Sequence, residues 1–220
     1  MQSVFFITGI GTGVGKTLAA SILTEALQAD YWKPVQAGFA DGTDTETLQS
    51  LISNSVSRIH PEMYRLPMPA SPHIAAREAS VTIDLDALCV KAKELAQATD
   101  NRPLLIEGAG GLLVPLTERL LMADLVEKMG AQLILISRNY LGSINHSLLT
   151  AAYCKNRGLP VAGWIFTDQY LSYENEIVNL SGYPYLGSVP YMENINAHTV
   201  HQQADQLVNA GIAKRLFSHE

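Results

Sequence analysis

Apolar residues recur along this chain in two alternating rhythms. The run Val4-Phe5-Phe6-Ile7-Thr8 is short, β-branched and aromatic, and predicts a first strand. Across residues 17–29 the period changes, with Leu18, Ile22, Leu23, Ala26 and Leu27 on one helical face. A second short strand is expected over 31–35, followed by a polar, glycine-bearing loop over 36–43 and a helix over about 44–52. Prolines at 61, 67, 69 and 72 mark residues 60–71 as an ordered irregular segment rather than a helix. Asp84 or Asp86 caps a helix that runs to Ala98. Uninterrupted apolar runs at 104–106 and 133–136 predict central parallel strands covered on both faces. A helix at 144–156, a strand at 161–166 and a terminal helix near 202–216 complete the alternation. No repeat, linker or low-complexity tract interrupts it. The expected fold is therefore α/β: one domain over residues 1–220, a doubly wound, mostly parallel sheet with helices on both faces.

Between the first strand and the first helix lies Thr8-Gly9-Ile10-Gly11-Thr12-Gly13-Val14-Gly15-Lys16-Thr17. Small residues let backbone N–H groups close around phosphate oxygens, and the helix N-terminus adds partial positive charge. Lys16 can reach the β- and γ-phosphates, and the Thr17 hydroxyl can take a Mg²⁺ position. The spacing departs from the common phosphate loop, because the usual first glycine falls at Ile10 and Gly9 lies one residue further out. A ligand-free glycine turn is the alternative, but strand, loop and helix follow in the order that the motif requires. A nucleoside triphosphate is the expected ligand.

Composition narrows the picture. The chain of 220 residues is 47% hydrophobic, enough to bury a substantial core. A net charge of −6 and the absence of a Lys/Arg run argue against nucleic acid as a partner. Cys89 and Cys154 lie in apolar, helix-like patterns away from any metal-spaced partner, as reduced core thiols of a cytoplasmic protein would. No basic leader precedes the first strand, and no apolar run approaches the roughly 18 residues a bilayer span needs.

Four more segments carry candidate chemistry. Glu107-Gly108-Ala109-Gly110-Gly111 follows a central strand, where a carboxylate beside the phosphate loop can hold a nucleotide's Mg²⁺; a solvated Glu on a glycine turn is the alternative. Asp44 opens a helix after a flexible loop, as a second Mg²⁺ ligand or simply as an N-cap. Lys33, in Trp32-Lys33-Pro34-Val35, ends an apolar strand and faces the crevice beside the γ-phosphate, or else is a solvated edge lysine. Gly142-Ser143-Ile144-Asn145-His146 joins a strand exit to a helix whose first N–H groups could hold a carboxylate. His146 there reads as a capping or packing residue in preference to an acid or base.

Taken in order, these segments resemble dethiobiotin synthetases. The resemblance spans nearly the whole chain: the lengthened loop, Lys33-Pro34-Val35, Ser71-Pro72-His73, and Glu107 through Gly111. It continues through Gly142 to His146 with Leu149-Thr150, Ala162-Gly163-Trp164, and Leu186-Gly187-Ser188-Val189-Pro190. It implies closure of a ureido ring from 7,8-diaminononanoate, CO₂ and ATP, by way of a carbamate and a carbamic-phosphoric anhydride. It also implies that Lys16 and Lys33 flank the carbamate and γ-phosphate, as catalytic groups. Gly13, Val14, Gly15, Lys16, Thr17 and Leu18 would wrap the phosphates, with Gly108, Ala109 and Gly110 close by. Thr17, Asp44 and Glu107 would hold Mg²⁺. The site would lie at a homodimer interface, where the partner's copies of Gly142, Ser143, Ile144 and Asn145 receive the substrate carboxylate.

Three positions depart from the pattern. Ala37 stands where relatives often carry a Ser or Thr that contacts substrate, which removes one hydrogen bond worth roughly 0.5–1.5 kcal/mol. Thr167, followed by Asp168, stands where an Asn commonly reads adenine, and a Thr cannot make that two-point contact; backbone groups at Pro190, Tyr191 and Met192 are the other way to read the base. Gly13 replaces a Glu found in some relatives. Two other classes remain to be weighed. A cobyrinate-type amidotransferase synthetase normally adds a glutaminase portion with a nucleophilic Cys, for which 220 residues leave no room. A partner-regulated ATPase switch of the division-site or partition type carries a signature lysine near the loop's start, where this chain has Gly11.

Overall fold

The computed structural model describes residues 3–168 and 171–217. In chain order they form β1 (Val4–Gly9), α1 (Lys16–Leu27), β2 (Asp30–Trp32), β3 (Val35–Ala37), α2 (Asp44–Leu51), β4 (Ile59–His60) and β5 (Tyr64–Leu66). There follow α3 (Pro72–Glu78), α4 (Leu85–Gln97), β6 (Leu104–Glu107), α5 (Met122–Met129), β7 (Gln132–Arg138) and α6 (Ser143–Arg157). The chain closes with β8 (Val161–Thr167), α7 (Glu174–Ser181), β9 (Tyr185–Val189), α8 (Ala197–Asn209) and α9 (Ile212–Phe217).

Seven strands make one sheet in the order β4-β2-β6-β1-β7-β8-β9, and every pairing in it is parallel. Residue alternation along the strands sends side chains to two separate cores. Phe5, Ile7, Tyr31, Leu105, Ile134, Ile136 and Ile165 face α1, α2, α8 and α9. Phe6, Trp32, Leu104, Ile106, Leu133, Leu135, Trp164 and Phe166 face the helices of the other layer. Each such large side chain, fully buried, contributes about 1.5–3 kcal/mol. Burial on both faces is why 104–106 and 133–136 read as continuous apolar runs. Since all strands run the same way, their C-terminal ends share one edge. The chain winds outward from β1 to β2 and β4, returns at β6, then crosses to β7, so the switch in winding falls beside β1.

Several expectations need correction. The strand expected at 31–35 is two strands, since Pro34 lacks an N–H and Lys33-Pro34 breaks the ladder; β3 pairs instead with β5 in a separate two-stranded sheet. Residues 60–71 are therefore not wholly irregular, and Pro72 opens α3 at a helix position that tolerates the missing N–H. The terminal helix is two helices, divided at Gly211. Asp84, not Asp86, caps α4, accepting from the Asp86 and Ala87 N–H groups. The helices α5 and α7 and the strand β9 add to the expected alternation. Cys89 and Cys154 are buried free thiols, and burial pushes Cys154 up to about 12. No helix among the described residues is long and apolar enough to cross a membrane.

Gly163 sits where β8 shifts register against β7, and the shift against β9 follows between Trp164 and Ile165. Its φ is +150°, and a Cβ there would lie 2.4 Å from the Pro184 carbonyl oxygen, which accepts the Trp164 N–H. Gly163→Ala is expected to destabilise the fold by about 2–3 kcal/mol, a fall in Tm of roughly 5–10 °C. Thermal unfolding followed by circular dichroism checks this, and an unchanged Tm would refute it.

Candidate active site

The loop 9–15 crosses the C-terminal edge of the sheet. It is tied to its neighbours by the Gly9 N–H donating to Gly110 O at 3.3 Å and the Ile10 N–H to Ile136 O at 3.0 Å. Gly15 caps α1 with φ +83°, a left-handed conformation that glycine adopts without penalty. A Cβ at Gly15 would also meet the Thr167 side chain at 3.1 Å, so β8 supports the loop closely from beneath. The Lys16 ammonium donates to Gly11 O at 3.0 Å, folding back over the loop it would share with phosphates. Burial lowers its pKa, opposed by the charge of Glu107.

Parallel register builds the rest. Glu107 is the last residue of β6, opposite Ile7 of β1, so its carboxylate emerges beside the loop. Tyr31 pairs with Leu105, and Glu107, two residues on, shares their face of the sheet. Lys33, beyond the end of β2, reaches the same place. Its ammonium lies 2.5 Å from Asp44 Oδ2 and 3.1 Å from Glu107 Oε1. The Thr17 hydroxyl donates to Asp44 Oδ1 at 2.7 Å and lies 3.1 Å from Glu107 Oε1. The Tyr31 hydroxyl donates to Glu107 Oε2 at 2.9 Å.

Lys33 is 4% exposed and Glu107 1%, so these are charges held nearly out of water. Burial works against the Lys33 charge, yet Glu107 and Asp44 together hold its pKa above the ordinary lysine value. Burial likewise opposes the Asp44 carboxylate, and Lys33 and Thr17 more than compensate, leaving its pKa lowered. Burial first, and Glu107 second, push the Tyr31 phenol well up, so it stays a donor. The edge-lysine and solvated-Glu alternatives are thereby removed. The N-cap alternative for Asp44 is corrected too: Thr43 caps α2 through a reciprocal capping box with Glu46, and Asp44 begins the first turn. Gln36 steers that turn, its side chain accepting the Asp44 N–H at 3.3 Å and donating to Gly38 O at 2.8 Å.

A cavity of about 680 Å³ opens over this cluster. It brings together Gly13, Gly15, Lys16, Thr17 and Leu18 with Lys33, Ala37, Asp44, Glu107, Ala109 and Gly110. Its further wall is Pro69 to Pro72, at the start of α3. Two carboxylates and a hydroxyl suit a hard cation that takes its other ligands from phosphate oxygens and water. No group of three or more His, Cys, Asp or Glu among the described residues forms a self-sufficient metal cage.

Other candidates lie outside the cavity wall. Val14 is buried, and its carbonyl accepts the Thr167 hydroxyl at 2.8 Å. Thr167 has one proton to give, and the loop takes it. Gly108 packs on Phe6, where a Cβ would lie 2.6 Å from the ring. Asp168 continues β8 with its N–H on Val189 O and its carboxylate 3.1 Å from Arg138. Pro190, Tyr191 and Met192 follow β9 on the same sheet edge, Tyr191 being 70% exposed. Gly142, Ser143, Ile144 and Asn145 open α6 away from the chain's own cavity; the Ser143 side chain is buried, and the Tyr140 N–H lies 3.4 Å from its hydroxyl. His146 is exposed, and its Nδ1 lies 2.6 Å from the Tyr140 hydroxyl.

Comparison with known proteins agrees with this geometry. The family described as an AAA domain matches residues 3–199. The ATP-dependent dethiobiotin synthetase of Agrobacterium fabrum is 44% identical over 210 residues, covering 95% of this chain and 96% of that protein. That of Cytophaga hutchinsonii is 45% identical over 204 residues, covering 92% and 96%. Among solved structures, the Aquifex aeolicus MinC:MinD cell division complex aligns with TM-score 0.57 at 13% identity, covering 94% of this chain and 96% of that one. A ParA family ATPase from Chlorobium tepidum aligns with TM-score 0.56 at 15% identity, covering 99% and 95%. At such identities these two share only the fold. A phosphate loop facing a lysine buried between two carboxylates, in a chain that matches synthetases along nearly its whole length, has one reading: the chain belongs to the ATP-dependent dethiobiotin synthetase family.

Proposed function

We propose that the chain joins CO₂ to the two amines of 7,8-diaminononanoate at the expense of ATP, releasing dethiobiotin, ADP and phosphate. The observation that carries this reading is the Lys33 ammonium, buried with Asp44, Glu107 and Thr17 at the floor of a cavity that the phosphate loop also lines. One substrate amine attacks CO₂ and loses a proton, giving a carbamate. A carbamate oxygen then takes the γ-phosphoryl group as its bond to ADP breaks. The second amine attacks the carbamoyl carbon, and phosphate leaves as the ring closes. Two anions meet in the middle step, so the main requirement is neutralising charge and alignment. Lys16 and Lys33 supply that charge from opposite sides, and loop N–H groups from Gly13 to Leu18 hold the phosphates. Thr17, Asp44 and Glu107 would hold Mg²⁺, which when bound neutralises phosphate charge. Ala37 offers no hydroxyl to the substrate, while Ser71 lines the same cavity.

The working unit in this reading is a cytoplasmic homodimer, with small-molecule substrates and neither nucleic acid nor membrane as partner. Support comes from the start of α6, which lies outside the chain's own cavity, and from Leu141 and Leu149 beside it, 79% and 62% exposed. The partner's Gly142–Asn145 segment would receive the substrate carboxylate on its N–H groups.

Three outcomes test the reading. Lys33→Ala is expected to lower kcat at least about a hundredfold, with nucleotide affinity nearly intact, because Lys33 meets new charge only as the carbamate and transition state form. Lys16→Ala is expected to damage both. ATP turnover with diaminononanoate plus bicarbonate, with glutamine, and with neither separates the synthetase from its two rivals; retention of more than about half the turnover by Lys33→Ala would remove its catalytic role. Second, mixing inactive Lys33→Ala and Asn145→Asp subunits is expected to restore activity through one complete hybrid site, since Asp would oppose the substrate carboxylate. No recovery after demonstrated subunit exchange would count against a shared site. Third, Thr167 cannot donate to a base while it holds Val14 O. CTP and GTP are therefore expected to support turnover within about a hundredfold of ATP, the value of one lost bidentate contact. Discrimination beyond about 10⁴-fold in kcat/KM, some 5.5 kcal/mol, would contradict this.

A further inference from the structure

We infer that Tyr31 is a positioning residue for the cation that accompanies the nucleotide: its hydroxyl pins one oxygen of Glu107 and thereby presents the other. The inference rests on the reading of Glu107 as a Mg²⁺ ligand, and adds a residue that neither the loop motif nor the family resemblance assigns.

The geometry is specific. Tyr31 is 0% exposed, and its hydroxyl lies 2.9 Å from Glu107 Oε2. Glu107 Oε1 points the other way, 3.1 Å from both the Thr17 hydroxyl and the Lys33 ammonium. The two oxygens of one carboxylate are thus divided between a wall contact and the face turned toward Thr17 and Asp44. Tyr31 and Leu105 are register partners, and Glu107 follows Leu105 by two, so the phenol lies along the sheet face beneath the carboxylate. Trp32, one residue on, packs into the opposite core and can do nothing for the site.

That division matters for Mg²⁺. The ion demands near-ideal octahedral geometry and accepts a carboxylate best through a single oxygen at about 2.0–2.1 Å. A carboxylate free to rotate can offer both oxygens or neither at the right angle. Partners that hold a ligand's far side typically change metal affinity by about 10–100-fold when removed. A hydroxyl committed to Oε2 blocks rotation and leaves Oε1 as the only oxygen to offer. A purely structural tyrosine would stabilise the core but leave metal affinity alone.

The test uses the full-length protein, with ATP binding measured by calorimetry in excess EDTA and again across a Mg²⁺ titration. Four forms are compared: wild type, Tyr31→Phe, Glu107→Gln and the double variant, each with its Tm recorded. Tyr31→Phe is expected to leave metal-free ATP affinity within about twofold and to raise the Mg²⁺ half-saturation concentration about tenfold or more. Glu107→Gln is expected to raise it too, and adding Tyr31→Phe to Glu107→Gln is expected to change it no further. If Glu107→Gln leaves half-saturation unchanged, the ligand reading fails and takes the positioning role with it. If Glu107→Gln raises it but Tyr31→Phe does not, or if the two effects multiply, the positioning role alone is overturned. Should Tyr31→Phe not be recovered folded, 4-aminophenylalanine and 4-fluorophenylalanine at position 31 make the same comparison. Both approximate tyrosine's size, but only the first has a proton to donate and is expected to keep the wild-type half-saturation; equal values would overturn the role.

Discussion

A lysine ammonium with almost no water around it is the constraint on which this site turns. Lys33 keeps its charge because Asp44 and Glu107 stand 2.5 and 3.1 Å away, and removing either would leave a buried charge uncompensated. The same pair of carboxylates would have to serve a divalent cation, and Thr17 contacts both. Any change at one member is therefore felt by the others. The cluster also draws together segments distant in sequence: the start of α1, the break after β2, the start of α2 and the end of β6. Holding these four at one point fixes the floor of the cavity.

That convergence is possible because the sheet is wholly parallel. β1 and β6 end side by side, so the phosphate loop and Glu107 leave the sheet together. The break at Lys33-Pro34 has the same effect by a different route. A continuous strand would have carried Lys33 on along the ladder; ending it releases the side chain into the crevice and lets β3 leave to pair with β5. The loop needs support as well as neighbours. Thr167 provides it from β8 through Val14 O, and so a residue at a position associated with base reading is committed to the loop's shape.

The sequence was enough for the alternation of strands and helices, because continuous apolar runs and 3.6-residue stripes report burial directly. It was enough for the phosphate loop, whose function resides in local backbone conformation and in two adjacent side chains, Lys16 and Thr17. It also singled out Lys33, Asp44 and Glu107, each left with a bland alternative because one-dimensional spacing cannot say whether a charge meets solvent or another charge. Contacts decided those cases. Thr43 took the cap that Asp44 was free to fill, and Lys33 proved buried where an edge lysine would be wet. Tyr31 went unnoticed, since a tyrosine in a short apolar strand looks like core; its register against β6, a contact between residues 76 apart, gives its hydroxyl a partner. The role of Thr167 and the position of α6 outside its own chain's cavity share this origin. Each depends on which distant segment lies alongside, and local propensity carries no record of that.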